Sequence, residues 1–191
     1  MGKKRIAVLA LQGAFAEHRQ LLEALGAEVT ELRQAADLEK EFDGLVLPGG
    51  ESTAQGKLLR ELGMFEGLRE KICQGLPVLA TCAGLILLAQ EISNDEKRYF
   101  QTLPVTVRRN AYGRQTGSFY YEGEIKGIGT LPMKFIRAPY IEKAGEGVEI
   151  LGQVEGRIVA VRYKSQLALS FHPEVTGDNR LHQYFLDSII L

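Results

Sequence analysis

The 191-residue chain is 45% hydrophobic and 25% charged, which gives one domain spanning residues 1–191 enough apolar surface for a full core. Its formal net charge is −1, with the signs interspersed, and the densest basic runs, Lys3-Lys4-Arg5 and Arg108-Arg109, are too short to track a phosphate backbone. No nucleic-acid partner is expected, and no apolar run approaches the ~20 residues of a membrane span.

Met1-Gly2-Lys3-Lys4-Arg5 followed by Ile6 to Leu11 imitates a secretion signal, but the apolar run is short, Gln12 follows, and no cleavage site is evident. Ile6 also stands where a myristoylation signal needs Ser or Thr. Arg5 to Leu11 reads instead as a first buried strand, and the cytoplasm is the expected compartment. Ala14 to Leu25 has helical spacing and closes on Gly26; Glu28 to Leu32 and Gly44 to Leu47 read as strands. Thr53 to Leu62 and Phe65 to Gln74 follow as helices, Pro77 to Ala80 as a strand and Leu85 to Glu91 as a helix. A chain that returns through helices to short apolar strands builds an α/β, doubly wound, mostly parallel sheet with helices on both faces, and ligands gather at the carboxyl ends of its strands.

From Pro104 the pattern changes to short alternating segments: Val105 to Arg109, Ser118 to Glu124, Lys134 to Ile136, Val148 to Val154, Arg157 to Tyr163 and Leu167 to Phe171. These add antiparallel strands to the second half, with a hairpin turn within Gly152 to Gly156. Asn179 to Ile190 repeats Leu181, Tyr184, Phe185, Ser188 and Ile189, the pattern of a closing helix packed on the sheet.

Cys82 lies where the run Leu76 to Ala80 gives way to a helical pattern, a sharp strand-to-helix turn that exposes the sulfur and aims backbone N–H groups at it. His172-Pro173-Glu174 supplies the other parts of an acyl-transfer site. Pro173 biases His172 to extended dihedrals, and in an extended segment residues two apart share a face, so Glu174 can accept from one ring nitrogen while the other serves Cys82. Pro48-Gly49-Gly50-Glu51-Ser52-Thr53 follows a strand and puts glycine backbone beside the elbow. N–H groups of Ala83 and of Gly49-Gly50 are the expected oxyanion donors, with Ser52 or Thr53 capping the next helix. A phosphate-loop reading of Gly50 to Lys57 fails, because the Gly50 to Gly56 spacing is too long and Leu58 stands where a hydroxyl is required.

The two cysteines, Cys73 and Cys82, fit no disulfide framework or metal spacing, and the three histidines lack zinc-motif spacing, so neither a metal nor a cofactor is expected. Cys73 reads as a packing residue, and His18 and His182 as surface or partly buried structural residues. The segment Arg108 to Gln115 and Arg137 offer guanidinium groups for a substrate carboxylate, and spacing does not choose among them.

Leu11-Gln12-Gly13 with Glu17-His18, Leu47 to Thr53, Thr81-Cys82-Ala83-Gly84, Arg109-Asn110-Ala111-Tyr112-Gly113-Arg114-Gln115, Ile136-Arg137-Ala138-Pro139 and Ser170 to Glu174 together resemble the class I glutamine amidotransferases, and more closely the family of glutaminase subunits of pyridoxal 5'-phosphate synthase. The resemblance implies a flavodoxin-like fold in which Cys82 attacks the carboxamide of L-glutamine, His172 acts as base and acid, and Glu174 orients it. It further implies that Gly50, Glu51, Ser52, Arg109, Ile136 and Arg137 bind glutamine. Ala80 departs from the family pattern, standing where the elbow usually begins with glycine.

The chain shows no second domain in which ammonia could be captured, so the acceptor is expected on a partner. The resemblance implies a (β/α)8 synthase in a hetero-oligomeric complex, making pyridoxal 5'-phosphate, whose docking completes the oxyanion hole. Two rivals remain at this point: a free-standing cysteine hydrolase of γ-glutamyl or peptide bonds, and a non-catalytic amide-binding module.

Overall fold

The computed structural model describes residues 2–112 and 117–191; Gly113, Arg114 and Gln115 of the arginine-bearing segment lie outside the described residues. Strands β1 (Arg5–Leu9), β2 (Glu28–Leu32), β3 (Gly44–Leu47) and β4 (Val78–Thr81) alternate with helices α1 (Phe15–Ala24), α2 (Ser52–Glu61) and α3 (Phe65–Cys73). The short α4 (Ala83–Leu88) leads into β5 (Ala89–Ile92), β6 (Leu103–Arg108), β7 (Ser118–Ile125), β8 (Gly129–Ile136) and β9 (Tyr140–Ala144). The chain closes with β10 (Glu149–Val154), β11 (Arg157–Tyr163), β12 (Gln166–Leu169) and α5 (Arg180–Tyr184).

The main sheet has ten strands in the order β2-β1-β3-β4-β12-β11-β9-β6-β5, with β10 paired to β11. Its β2-β1-β3-β4-β12 part is wholly parallel and has the flavodoxin strand order. Strand alternation divides the core between the faces. Ala7, Leu9, Leu45, Leu47, Val78 and Ala80 pack with Leu59, Leu68 and Leu85 on one side, whereas Ile6, Val8, Val46 and Leu79 meet Leu22, Leu181 and Phe185 on the other. Burial on both faces explains why these strands read as continuous apolar runs. The Ala80 methyl sits in the first of these clusters, between Leu47 and Ala168 in the ladder, so the missing elbow glycine is absorbed by core packing.

Several expected boundaries move. The helix foreseen over Leu85 to Glu91 ends at Leu88, because Ala89–Ile92 pairs in parallel with β6, a long-range bond that local propensity does not reveal. β8 begins at Gly129, well before Lys134: Pro132 lies inside it, tolerated in a separate two-stranded ladder with β7 where one edge is free. β9, bearing Glu142 and Lys143, has no apolar run to announce it. The hairpin between β10 and β11 turns on Glu155 and Gly156, with φ of 50° and 78° respectively, the paired positive dihedrals of a tight two-residue turn. The closing helix is α-helical only to Tyr184 and finishes as a π-turn, Phe185–Ile189, that keeps Phe185, Leu186 and Ile189 buried. Cys73, at the end of α3, is exposed rather than packed.

Candidate active site

Parallel register sets the site. Leu47 pairs with Ala80 and Thr81 with Leu169, so the chain leaves β3, β4 and β12 at one edge, carrying Pro48 to Ser52, Cys82 and His172 respectively. Cys82 caps α4 with φ 49° and ψ −102°, a conformation that costs a non-glycine residue about 1–3 kcal/mol. Its N–H donates to Leu169 O at 2.8 Å, and its Sγ lies 3.9 Å from Ile136 O, which fastens the elbow to β12 and to β8. The strain turns the thiol to a cavity mouth although the residue is only 5% exposed.

His172, with φ −110° and ψ 87°, is kept out of the helical region before Pro173 but falls short of the expected extended conformation, and it donates its N–H to Lys134 O at 2.8 Å. Its Nδ1 lies 2.6 Å from Glu174 Oε1, although the pair does not meet by strand alternation: Pro173–Val175 forms a 3-10 turn that folds the carboxylate back under the ring. Burial alone would lower the imidazole pKa; hydrogen bonds with Cys82 and Glu174, and their negative charge, outweigh it and raise the value to about 10. Burial pushes the Glu174 carboxyl up, but interaction with His18 and His172 holds it below the usual range.

The glycine loop is built against this imidazole. A β-carbon on Gly49 would overlap His172 Cε1, and one on Gly13, whose φ is +99°, would overlap the Gly49 carbonyl. That carbonyl accepts from Ala14 N–H at 2.9 Å, so in a trans peptide the Gly50 N–H points the opposite way. Gln12 Oε1 accepts from Glu51 N–H at 2.8 Å, and the buried Gln55 donates to Gln12 O and Pro48 O, fixing both flanks of the loop. Gly49→Ala is expected to displace the ring and lower kcat about 100-fold. Steady-state glutamate release checks this, with a melting curve on the same variant to show that the chain is still folded when the rate is lost.

A cavity of about 320 Å³ is lined by Gly50, Glu51, Ser52, Cys82, Arg109, Ile136, Arg137 and His172, together with Gln12, Ile86 and Asn110, which sequence reading had left without a role. Arg109 is held by Asp95 Oδ2 at 2.6 Å and Glu51 Oε1 at 3.2 Å, whereas Arg108 turns away to Glu142. The cap of α2 is neither Ser52 nor Thr53: Glu51 accepts from the N–H groups of Thr53 and Ala54. Ser52 therefore starts the helix with a buried hydroxyl that has no hydrogen-bond partner among the described residues and borders the cavity. Gly49 and Ala83 lie behind this lining, next to His172 and at the start of α4 respectively.

His18 and His182 are not surface residues. Both are fully buried, His18 Nδ1 lies 2.8 Å from His182 Nε2, and His18 Nε2 lies 3.2 Å from Thr81 Oγ1 and 3.5 Å from Glu174 Oε2. Glu17-His18-Arg19-Gln20 gives no local sign of this, because the contact comes from α5 and the far side of Glu174. Among the described residues no group of three or more His, Cys, Asp or Glu could hold a metal ion, and no helix is long and apolar enough to cross a membrane.

A thiol on a strained elbow, an imidazole ion-paired to a carboxylate and a cavity at the strand ends of a flavodoxin-order sheet are the architecture of a class I glutamine amidotransferase. The crystal structure of a glutamine amidotransferase superposes with a TM-score of 0.92 at 45% identity, covering 97% of this chain and 99% of that one. The chain belongs to the SNO glutamine amidotransferase family, whose sequence model matches residues 8–191. It is 67% identical over 185 residues to the pyridoxal 5'-phosphate synthase subunit PdxT of Desulfitobacterium hafniense strain Y51, covering 97% of this chain and 93% of the relative. It is 55% identical over 186 residues to PdxT of Streptococcus pneumoniae strain ATCC 700669, covering 96% of each.

Proposed function

We propose that residues 1–191 act as one glutaminase domain that hydrolyses L-glutamine in the cytoplasm and passes the ammonia to a separate (β/α)8 synthase subunit making pyridoxal 5'-phosphate. The observation that carries this reading is the single cavity in which Cys82 and His172 face Glu51, Ser52, Arg109 and Arg137. The synthase subunit is supported by the shared name of relatives at 67% and 55% identity.

The thiolate, not the thiol, is the attacking form, and a His172 pKa raised to about 10 favours the imidazolium that pairs with it during attack. The thiolate attacks the carboxamide carbon, forming the C–S bond and moving the carbonyl pair onto oxygen. N–H groups of Ala83 and the Gly49-Gly50 segment receive that oxyanion. Collapse breaks the C–N bond as His172 Nε2 gives its proton to the leaving nitrogen, releasing ammonia and leaving a glutamyl thioester and a neutral imidazole. The imidazole then takes a proton from water, whose oxygen attacks the thioester; the C–S bond breaks, glutamate departs and the ion pair is restored. Arg109 pairs with the substrate α-carboxylate, and Gly50, Glu51, Ser52, Ile136 and Arg137 hold the rest of the molecule.

The sign of the pH dependence follows. A group with a raised pKa keeps its proton below that value and loses it above, so the acid that protonates ammonia is present at neutrality and disappears as pH rises through about 10. The kcat/KM profile, which reports the free enzyme, is therefore expected to fall on its alkaline side near that pH, as measured by coupled glutamate detection. The functional reading itself is tested by assaying glutamate release with and without the synthase and by co-purifying the two. A large rise in rate with a stable complex supports it; equal rates and no complex point to a free-standing hydrolase.

A further inference from the structure

Behind the triad lies a buried chain of side chains that the reaction above does not use: His182 from α5, His18 from α1 and Thr81 at the end of β4, ending on Glu174. Glu174 Oε1 is committed to His172, but Oε2 makes no hydrogen bond of ordinary geometry and faces His18 Nε2 at 3.5 Å. The titratable groups facing Glu174 are His172 and His18, and those facing His18 are Glu174, His172, His182 and, on its own helix, Glu17. Burial holds His18 below its ordinary pKa and His182 at about 3, so both rings are neutral near pH 7.

A neutral imidazole has one N–H and one lone pair, and the 2.8 Å contact between His18 Nδ1 and His182 Nε2 requires one of each. If His18 carried its proton on Nδ1, its Nε2 could accept from the Thr81 hydroxyl, but its lone pair would still face the Glu174 carboxylate with no proton between them, and His182 would bury an Nδ1–H with no acceptor among the described residues. If His182 donates instead, His18 bears its proton on Nε2, between Glu174 Oε2 and Thr81 Oγ1, and only a lone pair on His182 Nδ1 is left without a partner. An unpaired buried donor beside repelling lone pairs is the costlier arrangement.

We infer that His18 is a positioning residue for the triad, holding Glu174 as an oriented carboxylate through its Nε2–H, and that His182 locks His18 in that tautomer. The inference rests on the glutaminase reading of Cys82, His172 and Glu174. It makes a specific prediction about pH. Without the His18 donor the buried Glu174 carboxylate loses a stabilising partner, its pKa rises, and the protonated, inactive form persists to higher pH. His18 does not line the cavity, so glutamine binding is untouched.

The test uses the full chain with its synthase. His18→Leu is expected to lower kcat about tenfold or more at neutral pH, leave KM within about twofold, and move the acid limb of the profile to higher pH. His18→Gln, which offers an N–H near the position of Nε2, should restore the acid limb. In parallel, nitrogen-15 spectra of the histidine rings in the unsubstituted chain should show the Nε2–H tautomer for both His18 and His182. An acid limb unmoved in His18→Leu, or an Nδ1–H tautomer at His18, would overturn the inference; should His18→Leu fail to fold, the tautomer decides. No glutamate release from the unsubstituted complex would instead overturn the glutaminase reading, and this role of His18 with it.

Discussion

Cys82→Ala is expected to reduce glutamate release by roughly 10⁴-fold or more, because no other group in the cavity can form the thioester. The residue is 5% exposed and its side chain contributes one sulfur to the cavity wall, so its loss removes the nucleophile and little of the pocket. Glutamine affinity, measured by calorimetry, should stay within about threefold, since binding contacts are retained when only the reacting group is removed. Retained turnover would remove Cys82 from the chemistry.

Glu174→Gln acts through charge rather than shape. The amide fills the same space beneath His172 but places no negative charge beside its Nδ1, so the imidazolium that pairs with the thiolate is less favoured. Loss of an equivalent carboxylate behind a catalytic histidine costs about 10⁴-fold in a serine protease, and a fall of roughly 10³-fold or more in kcat is expected here. Because Glu174 is one of the groups that raise His172 to about 10, its neutralisation must lower that value and bring the alkaline limb of the profile to lower pH. A kcat loss without that displacement would mean that Glu174 serves only to pack the loop.

The parallel half of the fold was legible because its strands are buried on both faces. Gly44–Leu47 announces itself as a short apolar run, whereas Glu28–Leu32, a mostly half-buried edge strand, is carried by Val29 and Leu32 and by its place after a closed helix; both boundaries match the structure. β5 and β9 did not, since Gln90, Glu91, Glu142 and Lys143 dilute their pattern and their pairing is set by β6, distant in sequence. The reacting groups were legible for a related reason: glycine, proline and a lone cysteine at strand ends are local constraints with local signatures. The supports were not. Gln12, Gln55, His18 and His182 act through contacts with residues distant in sequence, which no local pattern announces. Even the capping of α2 by Glu51 depends on the loop turning its carboxylate back over the first turn, with Arg109 beside it.

The central claim is a covalent glutamyl intermediate on Cys82 formed in a partner-dependent glutaminase. Acid quenching of the chain during turnover with glutamine and the synthase, followed by peptide mass analysis, tests it most directly. The account predicts one glutamyl group on the Cys82 peptide, released by alkaline hydroxylamine. Glutamate formed at full rate with Cys82 unmodified, or with the adduct on another residue, would contradict it.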